Sequence, residues 1–236
     1  MNVLLLNIIG GVLILIIFLL ITVFDYKDNK KKIKQIKFIC LSGIMLALAV
    51  SLNTTGALML KSLSFSKYFE IKLGNFILVL IGFFCGGILG FLSGIASDFL
   101  GLLFSTGGAS PCLFFTFTSI LLCILPYYLV LNFSKIYYSK KTFYWYFPIA
   151  YAITSLIITG TDPIALKILF PGLPPLWLMY FPLRVIKYPI DLTVNVFLIV
   201  TCYSALKKTW NLENQFKKYY FATDPQSLQY NRVPEE

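Results

Sequence analysis

Residues 182–195 read PLRVIKYPIDLTVN and carry Arg184, Lys187, Asp191 and Asn195 in an otherwise apolar stretch. At about 100° per residue these four fall near 0°, 300°, 340° and 20°, so on a helix they share one face. Ionisable groups inside a membrane span cost a few kcal/mol each, and such groups face a bundle interior or a water-filled cavity. A one-sided stripe of two bases, an acid and an amide is therefore an inner wall able to hold a small polar guest. In the competing reading Arg184 and Lys187 snorkel to the headgroups, since both lie within about 8 Å of the helix start. Asp191 and Asn195 lie too deep to do the same.

A second polar wall is written in GGILGFLSGIASDFLGLLFSTGG, where Gly86, Gly90, Gly94 and Asp98 recur at spacing four and Gly101 follows three later. Small residues at this spacing let helices approach closely, which accounts for the glycines and leaves Asp98 over. Asp98 falls about 9 Å below the outer end of its span, a depth similar to that of Lys187. Asp162 stands at the outer end of the sixth apolar run, on the same side. Two acids and two bases thus converge on an outward-facing cup. Ion pairs internal to the bundle are the structural alternative.

The chemistry that is missing narrows the class. The chain has no histidine, hence no imidazole base and no HExxH. Cys40, Cys85, Cys112, Cys123 and Cys202 form no CxxC and read as small buried hydrophobes. Walker and GxSxG motifs are missing, and no cofactor or metal is expected. An intramembrane aspartyl enzyme built on Asp98 and Asp191 is conceivable but has no local motif, so binding is favoured over catalysis.

The elements that must position these residues are membrane helices. Hydrophobic residues make up 58% of 236 and charged residues 13%, with a mean hydropathy of +0.80, outside the range of soluble domains. Apolar runs place helices at 3–24, 36–56, 74–85, 86–104, 112–132, 143–161 and 181–204. The third and fourth runs have no polar break, and a tight turn is expected between Cys85 and Gly90. The first run lacks a basic leader and a cleavage site, and reads as a retained anchor.

Lysines fix the orientation. They crowd YKDNKKKIKQIK after the first run, recur as Lys135, Lys140 and Lys141 after the fifth, and as Lys207, Lys208, Lys217 and Lys218 after the last. The positive-inside rule makes these three segments cytoplasmic and leaves the N-terminus outside. The net charge of +10 is accounted for by topology, and nucleic acid is not an expected partner. The outer segments are 62–74, 105–111 and 161–182, the last an irregular cap whose Leu173, Leu176, Trp177 and Tyr180 suit a lid.

Beyond these physical readings, IKLGNFILVLIGFFCGGILGFLSGIASDFLGLLFSTGGASPCLFFTFTS resembles the central block of the substrate-binding S components of energy-coupling factor (ECF) transporters, particularly the folate-specific type. The matching features are the glycine-rich helix pair, the D-x-x-G of Asp98 to Gly101, the Gly/Pro loop and the aromatic-Thr stretch FFTFT. PLRVIKYPI resembles that family's R-x-x-K-x-P-I opening of the last helix, and the likeness covers about 36–206. It departs at Asn53 and Thr54, where an arginine is common, and at TGTD, where the family is asparagine-rich.

The resemblance implies an all-α, six-helix membrane bundle over 36–206. Residues 1–35 then form an additional N-terminal transmembrane helix with its basic loop, and 207–236 a polar cytoplasmic tail. It implies capture of a vitamin, folate above all with riboflavin or thiamine as alternatives, at the outer face of the cell membrane. Delivery inward needs a transmembrane scaffold (T) component and two cytoplasmic ATPase subunits. Gly43, Ala47 and Ser51 match the small-residue face that docks on the scaffold, although packing within the bundle explains that spacing equally well. For a folate-like guest Asp98 would accept hydrogen bonds from the pterin edge and Arg184 and Lys187 would pair with its carboxylates. Phe114, Phe115 and Trp177 would stack on the rings, ordinary packing being the alternative for each. Asp162 and Asp191 complete the expected substrate site.

Overall fold

In lipid a backbone polar group finds no water, so an apolar chain settles into helices whose hydrogen bonds close within each segment. A computed structural model describes residues 2–33, 36–61, 73–104, 111–136, 140–170 and 183–210, together with Gly172 and Pro175. Among these residues are α1 (Asn2–Ile33), α2 (Ile36–Lys61), α3 (Asn75–Cys85), α4 (Gly87–Phe104), α5 (Leu113–Ile136), α6 (Lys140–Leu169) and α7 (Leu183–Trp210), with no strand. All but α3 and α7 are long and apolar enough to cross a membrane, and the chain is a multi-pass helical membrane protein. Leu4, Leu15, Ile44, Leu103 and Leu156 point outward, as side chains bathed in acyl tails do.

The core is built around α3. Every residue from Ile77 to Cys85 is buried, and the helix packs against α2, α4, α5 and α7. A helix that is apolar all round needs a neighbour on every side. Its 11 residues reach only about 16 Å, half of a hydrocarbon core of roughly 30 Å, so α3 is an internal strut. It runs antiparallel to α2. The Gly74 N–H donates to Asn53 Oδ1 at 2.7 Å at one end of the pair, and the Cys85 thiol donates to the Phe38 carbonyl at 3.6 Å at the other.

The turn expected between Cys85 and Gly90 is reduced to one residue. Gly86 alone separates α3 from α4, with φ 88° and ψ −177°, a backbone state that only glycine enters without strain. Its N–H donates to the Gly82 carbonyl at 3.0 Å and its carbonyl accepts from the Gly90 N–H at 2.9 Å. Both helices are thus bonded up to the break.

Of the helices that run past their expected ends, α1 and α6 do so furthest. The sixth run was expected to stop at 161, yet α6 continues through Asp162 and Pro163 to Leu169. An interior proline costs a helix about 3 kcal/mol. The added turns bury Ala165 against Leu6 and Cys112, and this packing carries the helix past its proline. At the other side α1 extends to Ile33 through the lysine-rich segment expected as a loop. Lysine is a good helix former, and nothing in DYKDNKKKI breaks a helix already started.

Far from standing apart, α1 lies along α5 and α4 and touches α6 and α2. Leu6 is buried near its start and Ile21 near its end. Between them the Phe18 ring meets that of Phe91 at 5.5 Å. The five cysteines form no disulfide, and Cys85, Cys112 and Cys123 are buried.

Candidate functional site

The glycine face of α4 does face a helix, and that helix is α5. A Cβ on Gly94 would lie 2.6 Å from the Ile120 Cα, and one on Gly90 would meet Ile124 and Cys123. One turn further along each antiparallel helix, the Thr116 hydroxyl donates to Asp98 Oδ2 at 2.6 Å. Each step of four up α4 therefore meets a step of four down α5, and the carboxyl arrives opposite the first of the two hydroxyls in FFTFT, while the second, on Thr118, donates to the Phe115 carbonyl at 3.0 Å. Thr116 is buried and Asp98 half-buried. A hydrogen bond this short holds the Asp98 carboxyl in a defined orientation. Gly101, by contrast, has nothing near its missing Cβ and has left the seam.

Asp162 belongs to the same layer. Ala165 of α6 packs with Cys112, the residue just before α5, and Asp162 and Thr116 each lie about one turn deeper along α6 and α5. One carboxylate oxygen of Asp162 is buried from solvent. Phe114 and Phe115 are half-buried in the first turn of α5, against Leu6, Cys112 and Ala165. Their rings meet edge to face at 6.3 Å, and Phe114 lies 6.0 Å from Phe117.

A second polar centre lies where α7 packs on α6 and α3. Asn195 is 1% exposed; its amide N–H donates to the Asp191 carbonyl at 2.9 Å, while its Oδ1 is buried with no hydrogen-bond partner among the described residues. One carboxylate oxygen of Asp191 is likewise buried. Tyr151 of α6, itself buried, lies near Ser155, near Asn75 at the start of α3, and near Asp191 and Tyr188 of α7. The Tyr188 hydroxyl donates to the Ala152 carbonyl at 2.8 Å, tying the start of α7 to the middle of α6. The stripe on α7 thus turns inward at Asp191 and Asn195. Arg184 and Lys187 open the same helix, but their side chains lie outside the described residues, as does Trp177 altogether.

Of the carboxylates expected at the substrate site, Asp98 stands between α4 and α5 with Asp162 in the same layer, and Asp191 stands on α7 beside α6 and α3. Sequence reasoning missed Thr116 as the partner of Asp98, and Tyr151 as a neighbour of Asp191. The period of four on both sides of the short 105–112 connection was the available signal for Thr116. For Tyr151 there was none, since one tyrosine among the 15 in the chain is indistinguishable by type.

On α2, Gly43, Ala47 and Ser51 are exposed, and nothing lies within 4 Å of the position a Cβ on Gly43 would take. That small-residue face is not used for packing among the described residues. No family model matches the chain, and no curated protein or solved structure matches it either.

Proposed function

We propose that this chain is the substrate-binding component of an ECF-type uptake transporter, taking folate or a related B vitamin from the outer face of the cell membrane. The observation that carries the reading is the pair of buried polar centres. Asp98 with Thr116, and Asp191 with Asn195 and Tyr151, place carboxylates inside an apolar bundle at a cost of a few kcal/mol each. A membrane protein with only a scaffolding task has no use for that expense.

The chemistry of the residues favours a flat, nitrogen-rich ring carrying carboxylates. Asp98 is an acceptor already oriented by Thr116, suited to a pterin edge. Arg184 and Lys187 at the head of α7 supply the cations for the carboxylate tail, with Phe114, Phe115 and Trp177 as stacking surfaces. Nothing in the chain hydrolyses ATP, so transport requires a scaffold component and two ATPase subunits. The outward face of Gly43, Ala47 and Ser51 is the proposed scaffold contact. In this orientation the lysine-rich end of α1 and the C-terminus lie in the cytoplasm and the N-terminus outside.

Thermal unfolding of the detergent-purified chain against a panel of B vitamins tests the proposal. A ligand at a hundred times its dissociation constant stabilises by about 2.7 kcal/mol. A shift with folate supports the full reading. A shift with riboflavin or thiamine alone keeps the transporter class and replaces the substrate. Silence across the panel removes both.

A further inference from the structure

We infer that α1 is a working wall of the Asp98–Thr116 centre rather than a separable anchor, and that Asn7 is the residue through which it positions that centre. The argument begins at the first turn of α5, whose leading N–H groups have no intrahelical acceptor. The Leu113 N–H donates to Asn7 Oδ1 of α1 at 2.9 Å. The next free donors fold back on the Cys112 carbonyl, from Phe115 at 3.0 Å and from Thr116 at 3.4 Å. Asn7 therefore caps α5 from another helix, at a position normally served by a residue of the same chain segment.

The contact is close as well as polar. A Cβ on Gly10 would lie 2.5 Å from the Leu113 carbonyl carbon and 2.5 Å from the Phe114 nitrogen, so only glycine lets α1 approach α5 here. Leu6 is buried beside Cys112 and Ala165, which closes the same end of the bundle against α6. Leu6, Asn7 and Gly10 fall on one face of α1 at spacings of three and four. Three independent contacts thus hold the turn of α5 that carries Thr116, and Thr116 in turn holds Asp98 at 2.6 Å. Freeing that turn moves the hydroxyl before it disturbs anything deeper in the core.

The test uses the full chain in detergent and reads the centre without any ligand. Asp98→Asn locates the Asp98 carboxyl band in the infrared by removing it, and Thr116→Val gives the shift caused by loss of the hydroxyl. Asn7→Ala is expected to move the band in the same direction, whereas Asn7→Asp, which keeps an acceptor oxygen, leaves it in place. Leu15→Ala, on the exposed side of α1, also leaves it in place. In parallel, maleimide labelling of Cys112, resolved by peptide mass, is expected to accelerate about three- to tenfold in Asn7→Ala, the factor of one hydrogen bond. Gly10→Leu, where it yields folded protein, adds a steric version of the same test. An unmoved Asp98 band in Asn7→Ala overturns the inference, and so does a labelling rate equal to that of the unsubstituted chain.

Extending this to ligand affinity rests on the functional reading above. Folate binding is then weakened by Asn7→Ala and restored by Asn7→Asp. If the band and Cys112 respond while folate binds no variant and not the parent chain, the substrate assignment fails and the role of α1 stands.

Discussion

A hydroxyl and an amide decide what the buried carboxylates can do. The Thr116 hydroxyl fixes one oxygen of the Asp98 carboxyl by donating to it at 2.6 Å. Thr116→Val removes this donor from a half-buried carboxyl, and we expect it to lower stability by about 1–3 kcal/mol in detergent unfolding. Asp98→Asn followed by the double variant then measures the coupling, which vanishes if the two side chains act independently. Asn195 behaves in the opposite sense. Its Oδ1 is buried without a partner among the described residues, so Asn195→Leu, of similar volume, is expected to hold or raise stability by up to about 1 kcal/mol. The same variant should reduce the vitamin-induced thermal shift, as groups kept at a stability cost commonly serve function. A loss above about 2 kcal/mol would instead make the amide a structural tie to the Asp191 carbonyl.

At the scale of helices, the existence and order of the spans were legible because lipid forces a nearly one-to-one relation between apolar runs and helices. What escaped was decided by packing between helices, which a linear pattern does not carry. Pro163 signals a stop, and the burial of Ala165 against Leu6 and Cys112 overrides it. The first run reads as an anchor because its polar residues are few, yet Asn7 and Gly10 are the two positions that join it to α5. The spacing of Gly90, Gly94 and Asp98 marked one wall of a seam correctly, and its partner required knowing that α5 returns along it. Gly86 shows how narrow such determinants are. Gly86→Ala puts a side chain at φ 88°, and we expect a loss of about 1–3 kcal/mol with the α3–α4 break as its origin. Gly101→Ala, on the same helix but with open space around it, should be neutral or slightly stabilising by helix propensity, since alanine is favoured over glycine by about 1 kcal/mol.

For the molecule as a whole, the question is which surfaces meet lipid and which meet protein. If the bundle transports in concert with partners, as proposed, it must keep its ligand centres inside and present a docking face to the membrane, where apolar burial gives no drive and close backbone approach must supply the affinity. The α2 face of Gly43, Ala47 and Ser51 has the small side chains for this and makes no use of them within the bundle. Ala47→Trp separates capture from delivery. A large apolar side chain on a lipid-facing position is expected to change stability by no more than about 0.5 kcal/mol, and the thermal shift given by the vitamin should persist. Co-purification with a scaffold and ATPase subunits, and uptake into cells or vesicles, should be lost together, because indole would hold the two backbones apart. Normal assembly in Ala47→Trp would move the docking face elsewhere on the bundle. Loss of the vitamin shift itself would mean that α2 reaches the ligand centres, most directly through Asn53 and the Gly74 turn that leads into Asn75 and Tyr151.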